Sequence, residues 1–358
     1  MKIRWIKTLI AGGAALMLGT GAIAEPLKIG MVVASPVGDV GWARNLVDGM
    51  DAVKQKYGDD VEITVIENIA EGPDADRAIN QLAADGHKFL MLGSFGYMNA
   101  ALKLARQNPE ISILHASGYK TSSNMSAFTA KYFQGSYLLG MAAAGKTESK
   151  KLGVVAAFAI PEFITTINAF TLGAQRVDPD IEVNVVWVNT WFDPAKEQSA
   201  AEALIAKGAD VVFSMGQDTP SVVSLAEREG VYVTNLNSSM KDYAPNYYLG
   251  VNGTDWAPFF LEQVADHMNG TFEGRYHWLG IEDDVVVTTD FNENTAPDLM
   301  AQIEEVQTLI ESQDFKVFKG PLTNQAGEIV VPEGTVLSDN DILGMTWHVK
   351  GVTSPLPK

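Results

Sequence analysis

Short apolar runs alternate along this chain with stretches whose apolar residues recur every third or fourth position. The first run, Leu27–Ala34, has the continuous apolar character of a strand buried in a parallel sheet. Trp42–Tyr57 then places Leu46, Val47, Met50 and Val53 on one side of a helix. The alternation continues with strand Val61–Ile66, helix Pro73–Asp85, strand Phe89–Leu92, helix Asn99–Gln107 and strand Ser112–Ala116. Strands separated by helical runs of this length predict βαβ crossovers and a parallel sheet, and right-handed crossovers leave few topologies.

After Ala127–Tyr132, a Gly/Ala-rich helix at Gln134–Ala144 and a charged turn at Lys146–Lys151, the pattern restarts. Strand Leu152–Phe158, helix Glu162–Val177, strand Val183–Val188, helix Ala195–Lys207, strand Val211–Met215, helix Pro220–Glu229 and strand Val231–Asn235 follow the first series in order and spacing. The pattern predicts an α/β protein of two Rossmann-like three-layer lobes, hinged near Phe128–Gln134, with the ligand site in the interlobe cleft. One continuous doubly wound sheet is the alternative. The expected division is residues 25–130 plus about 252–283 for the first lobe and 131–251 plus about 284–358 for the second. Trp256–Met268 and Ala296–Gln313 read as helices and Asp284–Thr289 as a strand. The turn-rich remainder after Phe315 reads as ordered packing over one lobe.

Residues 1–24 stand apart. Lys2, Arg4 and Lys7 precede an apolar, small-residue run, Thr8–Gly21, and Ala22-Ile23-Ala24 fits small-x-small cleavage, so a secretory signal peptide cut after Ala24 is expected. A membrane anchor is the alternative, but the apolar core falls short of the ~20 residues a spanning helix needs. The chain has no Cys, which excludes disulfides, thiolate nucleophiles, cysteine metal sites and a lipidated N-terminal Cys. An exported, disulfide-free chain points to the periplasm. The formal charge of −18 becomes −21 without residues 1–24, with 23 basic against 44 acidic residues, and this argues against nucleic acid or an anionic membrane as partner.

Catalytic motifs are missing: no Gly-x-Ser-x-Gly, Gly-x-Gly-x-x-Gly or His-Glu-x-x-His occurs, and the five His have no metal-ligand spacing. No catalytic residue, metal or cofactor is expected, and the chain is not read as an enzyme. Instead, aromatic and amide side chains cluster where strands end, the place where open α/β sheets bind ligands. Asp39 and Trp42 follow the first strand, Phe95 and Tyr97 the third, and Trp191, Gln217, Asp218 and Asn237 follow strands of the second series. Aromatic faces suit flat rings, while Asn, Asp and Gln read ring-edge donors and acceptors. No Arg/Lys cluster stands at these loops to clamp a polyanion. For Trp42, Phe95, Tyr97 and Trp191 the competing expectation is a core role, and for Asp39 a helix N-cap.

Taken together, Gly38-Asp39-Val40-Gly41-Trp42, Gly93-Ser94-Phe95-Gly96-Tyr97-Met98, His115-Ala116-Ser117-Gly118-Tyr119-Lys120, Trp187-Val188-Asn189-Thr190-Trp191-Phe192-Asp193-Pro194 and Met345-Thr346-Trp347-His348-Val349-Lys350-Gly351-Val352 resemble the basic membrane protein family of ABC-transporter solute-binding proteins. The resemblance covers nearly the whole chain after residue 24. It implies a type I periplasmic-binding fold and a receptor that closes on a purine nucleoside or base. That receptor would hand its ligand to a permease with its ATPase, and a monomer is expected. The nucleoside-binding pattern of the family has an Asp-x-Asp stretch where this chain has Asn237-Ser238-Ser239, and a Lys in the region of Asn252–Trp256. The departures remove groups suited to ribose hydroxyls and turn the expectation toward a free base, with Trp256 added to the candidate site. A sugar or signalling molecule as ligand, or an exported nucleoside hydrolase, are the competing functions.

Overall fold

The computed structural model, which describes residues 25–357, contains two six-stranded sheets with the same strand order. The proposed signal segment lies outside the described residues. The first lobe is built from β1 (Leu27–Val33), α1 (Trp42–Tyr57), β2 (Val61–Ile66), α2 (Pro73–Ala84), β3 (Phe89–Gly93), α3 (Met98–Gln107), β4 (Ser112–Ala116) and β5 (Met125–Ala130). The chain crosses to the second lobe with α4 (Tyr132–Ala144). There it forms β6 (Lys151–Ala156), α5 (Pro161–Val177), β7 (Glu182–Trp187), α6 (Pro194–Ala206), β8 (Val211–Met215), α7 (Ser221–Glu229), β9 (Tyr232–Asn237) and β10 (Tyr248–Thr254). It returns to the first lobe for α8 (Ala257–Asn269) and β11 (Tyr276–Leu279), then ends on the second with β12 (Val286–Thr289) and α9 (Pro297–Glu311).

The strand orders are β11-β5-β4-β3-β1-β2 and β12-β10-β9-β8-β6-β7, parallel throughout except that β12 runs antiparallel to β10. Strands such as β3, β4 and β8 are buried along their whole length because helices cover both faces, which is why they read as unbroken apolar runs. Proline opens α2, α5, α6 and α9 at a position that needs no amide donor, and left-handed Gly230 and Gly270 close α7 and α8. The two-sheet arrangement replaces the alternative of one continuous sheet. Two strands of these six-stranded sheets, β10 and β11, were not expected from the sequence. The second sheet also keeps the chain through Thr254, just beyond the crossing expected near 252.

Three crossings join the lobes, and polar contacts tie them together. Lys131 pairs with Glu282 at 2.5 Å, Gln134 bonds Glu282 and the Ile281 amide, and Asn252 donates to the Tyr132 carbonyl and to Ser136. The segment after α9, which holds β13 (Leu322–Thr323), β14 (Ile329–Val331) and α10 (Asp339–Leu343), packs on the second lobe. Buried Asn168 of α5 anchors it, donating to the Trp347 carbonyl at 2.8 Å and accepting from the Val349 amide at 3.0 Å. Among the described residues no helix is long and apolar enough to cross a membrane.

Candidate ligand-binding cleft

In an open sheet of order 2-1-3-4-5, the chain leaves in opposite directions from the two strands at the order reversal, and the crevice there receives ligands. Here that crevice lies beyond β1 and β3 in the first lobe and beyond β6 and β8 in the second, and the two crevices face each other. The cleft between them is nearly closed, with a cavity volume of about 40 Å³. Ala34, Ser35, Trp42, Gly93, Ser94, Phe95 and Ser117 come from the first lobe, while Glu162, Phe163, Trp191, Gly216, Asp218, Leu236 and Asn237 face them from the second. Tyr132 lines the hinge side, and among the described residues no Lys, Arg or His lines the cleft.

Five aromatic residues, Trp42, Phe95, Tyr132, Phe163 and Trp191, line the space. The Trp42 ring stands edge-on to buried Trp256, 6.0 Å away at 88°, and its Nε1–H donates to the Gly93 carbonyl at 3.0 Å. Trp191 packs against Phe158 and Phe163 at 4.7 and 5.9 Å between centroids. Its Nε1–H reaches Glu71 of the other lobe at 3.2 Å, and Glu71 also receives the Ser94 hydroxyl and the Gly96 amide.

The loop that carries Trp42 shows how the lobes meet. Gly41 precedes α1 with φ 96° and offers no side chain to cap the helix. The cap comes from the opposite lobe. The Asp218 carboxylate accepts from the Trp42 amide, from the Ala43 amide at 3.4 Å and from the Ser35 hydroxyl, while the Gly41 amide donates to Ser238 Oγ at 2.7 Å. A negative group at a helix N-terminus meets the free amides and the positive end of the dipole. Burial nonetheless dominates and pushes the Asp218 carboxyl up to about 6, with the bonds from Ser35, Trp42 and Ala43 pulling it partly back. Glu162, in the first turn of α5, is the second cleft carboxyl. It accepts from Thr129 and, at 3.3 Å, from Ser117, both of the first lobe. It keeps part of its surface toward the cleft but lies deep between the lobes, and desolvation raises it to about 7 against the opposing effect of the two hydroxyls.

Of the nine residues expected at the site, the cleft brings together Trp42, Phe95, Trp191, Asp218 and Asn237. The other four lie elsewhere. Asp39 is exposed outside the lining residues, and Asp218 takes the capping role that its position suggested. Tyr97 is core, its hydroxyl donating to the Ile69 carbonyl. Gln217 turns inward, accepting from Ser214 at 3.3 Å. Trp256 is wholly buried among Trp42, Phe128 and Phe260. Sequence reasoning missed Ser35, Ser94, Ser117, Tyr132, Glu162 and Phe163. The available signal for Glu162 was the loop after β6, a strand end like the others.

The family model for ABC transporter substrate-binding proteins of the PnrA-like kind matches residues 27–317. A purine-binding protein of Brucella abortus is 36% identical over 98% of this chain and 100% of its own length. A Haloferax volcanii protein provisionally named as an ABC transporter glucose-binding protein is 31% identical over 83% of this chain and 75% of its own. Among solved structures, an Aeropyrum pernix ABC transporter solute-binding protein superposes with a TM-score of 0.70 at 17% identity, covering 81% of this chain and 93% of that one. With the paired sheets and the facing crevices, these matches establish that the chain belongs to the PnrA-like family of ABC transporter substrate-binding proteins.

Proposed function

We propose that this substrate-binding protein captures a free purine base in its interlobe cleft and delivers it to the permease of an ABC importer. The observation that carries the reading is the lining itself. Trp42, Phe95, Phe163 and Trp191 offer ring faces, and Asp218, Glu162, Asn237 and Ser94 offer ring-edge partners without a single cation. Flat heterocycles stack on such faces and donate N–H groups to carboxyl oxygens. The N-terminus of α1, the natural place for a phosphate, is occupied by Asp218, which disfavours nucleotides. The Brucella relative, named for purine binding, supports the same ligand class.

A ligand that touches both walls binds the closed arrangement better than an open one, and that difference drives closure about the three crossings. The signal-like segment 1–24 supports a receptor that works outside the cytoplasm. Calorimetric titration with adenine, guanine, hypoxanthine, xanthine, urate, their nucleosides and glucose tests the reading. Binding of at least one base is expected. No binding by any base, or clearly tighter binding of a nucleoside or of glucose, overturns it. Glucose is included because the Haloferax relative is named for it and aromatic faces also stack on sugars.

A further inference from the structure

Glu162 has more acceptor capacity than the protein uses. Its Oε2 takes the hydroxyls of Thr129 and Ser117, whereas Oε1 has only a 3.5 Å contact with Ser117 Oγ. A carboxylate accepts up to about four hydrogen bonds, so Oε1 is left largely unsatisfied by protein groups. The residue sits at the junction of the cleft with an adjoining cavity of about 400 Å³, and Phe95, Ser117 and Tyr132 line both spaces beside it. Among the described residues no Lys, Arg or His lines either space. An acidic residue in a first helical turn is common as a complement to the helix dipole, but that role needs only an exposed position. Glu162 instead lies deep between the lobes, clamped by hydroxyls of the lobe opposite its own helix.

We propose that Glu162 is the specificity-determining residue of the cleft, its Oε1 accepting an N–H from the edge of the bound heterocycle while Thr129 and Ser117 hold Oε2. The assignment rests on the base-binding reading above. It selects heterocycles that present a ring N–H or exocyclic amino group over the same rings methylated at that nitrogen. The raised carboxyl value supports it, because a desolvated carboxyl without a cationic partner gains from a donor supplied by the ligand. The titratable groups facing it are Tyr132 and Tyr276, both pushed further up by burial and by the Glu162 charge, so neither ionises near neutral pH.

The test uses the purine base that the wild-type protein binds best and its N-methylated analogues, titrated into wild type, Glu162→Gln and Glu162→Ala. Gln keeps the shape and removes the charge. Glu162→Gln is expected to weaken the donor-bearing base by about tenfold or more, as for a hydrogen bond to a charged group, and to erase the preference over the methylated analogue. If Glu162→Ala does not fold, Glu162→Gln decides together with the protons exchanged on binding, read in two buffers of different ionisation enthalpy near pH 7. Wild type should exchange protons there, and Glu162→Gln should exchange fewer. Unchanged affinity, preference and proton exchange in the variant overturn the assignment. Failure of the wild type to bind any base overturns the base reading instead.

Discussion

Substituting Gly41 by Ala tests the interlobe geometry without altering a residue that lines the cleft. Gly41 has φ 96° and ψ −170°, backbone that is essentially restricted to glycine. A Cβ there would also stand 2.5 Å from Asp218 Oδ1 and 2.7 Å from Asp218 Cα, a backbone atom of the opposite lobe. The two effects separate. The strain, roughly 1–3 kcal/mol, acts whether the lobes are open or closed, so it lowers stability. At about 2–4 °C per kcal/mol for chains of this order of size, several degrees of melting temperature are lost. The collision exists only when the lobes meet. Relieving it by backing Asp218 away loses the cap on α1, about 0.5–2 kcal/mol, which is a roughly 2- to 30-fold loss of ligand affinity. Calorimetric titration measures that loss, and small-angle X-ray scattering reads the ligand-driven compaction. Gly38→Ala is the control in the same loop, since a Cβ there meets nothing within 4 Å. Wild-type affinity and compaction in Gly41→Ala would refute the role assigned to the Gly41–Asp218 contact.

Other consequences follow from the same contacts. Asp218 and Glu162, raised by burial to about 6 and about 7, hold protons in the folded state at pH values where the unfolded chain has released them. The ligand-free protein should therefore lose stability as pH rises from about 4 to about 7, by at most ~1.4 kcal/mol per pH unit per group, and Glu162→Gln should flatten a melting series over that window. An unchanged slope would contradict the values assigned to these carboxyls. Trp42→Ala should weaken base binding by tenfold or more in calorimetry while Trp42→Phe retains much of it, because a stacked aromatic face is worth ~0.5–1.5 kcal/mol beyond its buried area; equal affinities for the two variants would argue against stacking. Asn168→Ala removes the partners of the Trp347 carbonyl and the Val349 amide, so urea unfolding should show a loss of about 2–4 kcal/mol with ligand affinity preserved. A loss of affinity with stability intact would contradict an anchoring role.

The fold was legible because fully covered parallel strands leave unbroken apolar runs, and the helices between them carry one apolar face. The exceptions have physical causes. Strand β10 holds Gly250, Asn252 and Gly253, so its composition reads as a turn. Its strand character comes from pairing with β9 on one side and β12 on the other, and Gly250 is needed where the backbone turns to φ 140° against Thr289. Strand β11 spans four residues, too few for a period to show. At the site, strand ends located Trp42, Phe95, Trp191, Asp218 and Asn237, but position alone does not say which way a side chain turns. Gln217 and Asp218 are neighbours, yet one bonds back to Ser214 and the other crosses to the opposite lobe. Asp39 precedes α1 and looks like its cap, while the group that performs the capping, Asp218, lies 176 positions beyond Trp42 in sequence. No local pattern carries such a contact.

These contacts also bear on how an empty receptor differs from a loaded one. The amides of Gly41, Trp42 and Ala43, the hydroxyls of Ser35, Ser117 and Thr129, and the Trp191 indole all bond across the lobes, protein to protein. Each such bond nets about 0.5–1.5 kcal/mol, enough in sum to favour closure without any ligand. What opposes it is the desolvation of Asp218 and Glu162, which pushes both carboxyls up and is uncompensated by any cation among the described lining residues. A heterocycle that donates N–H groups relieves that opposition, whereas an anion would add to it. On the proposed function, the carboxyls that would accept from the ligand are the same groups whose desolvation opposes closing of the empty cleft, which would couple recognition to closure without a separate trigger.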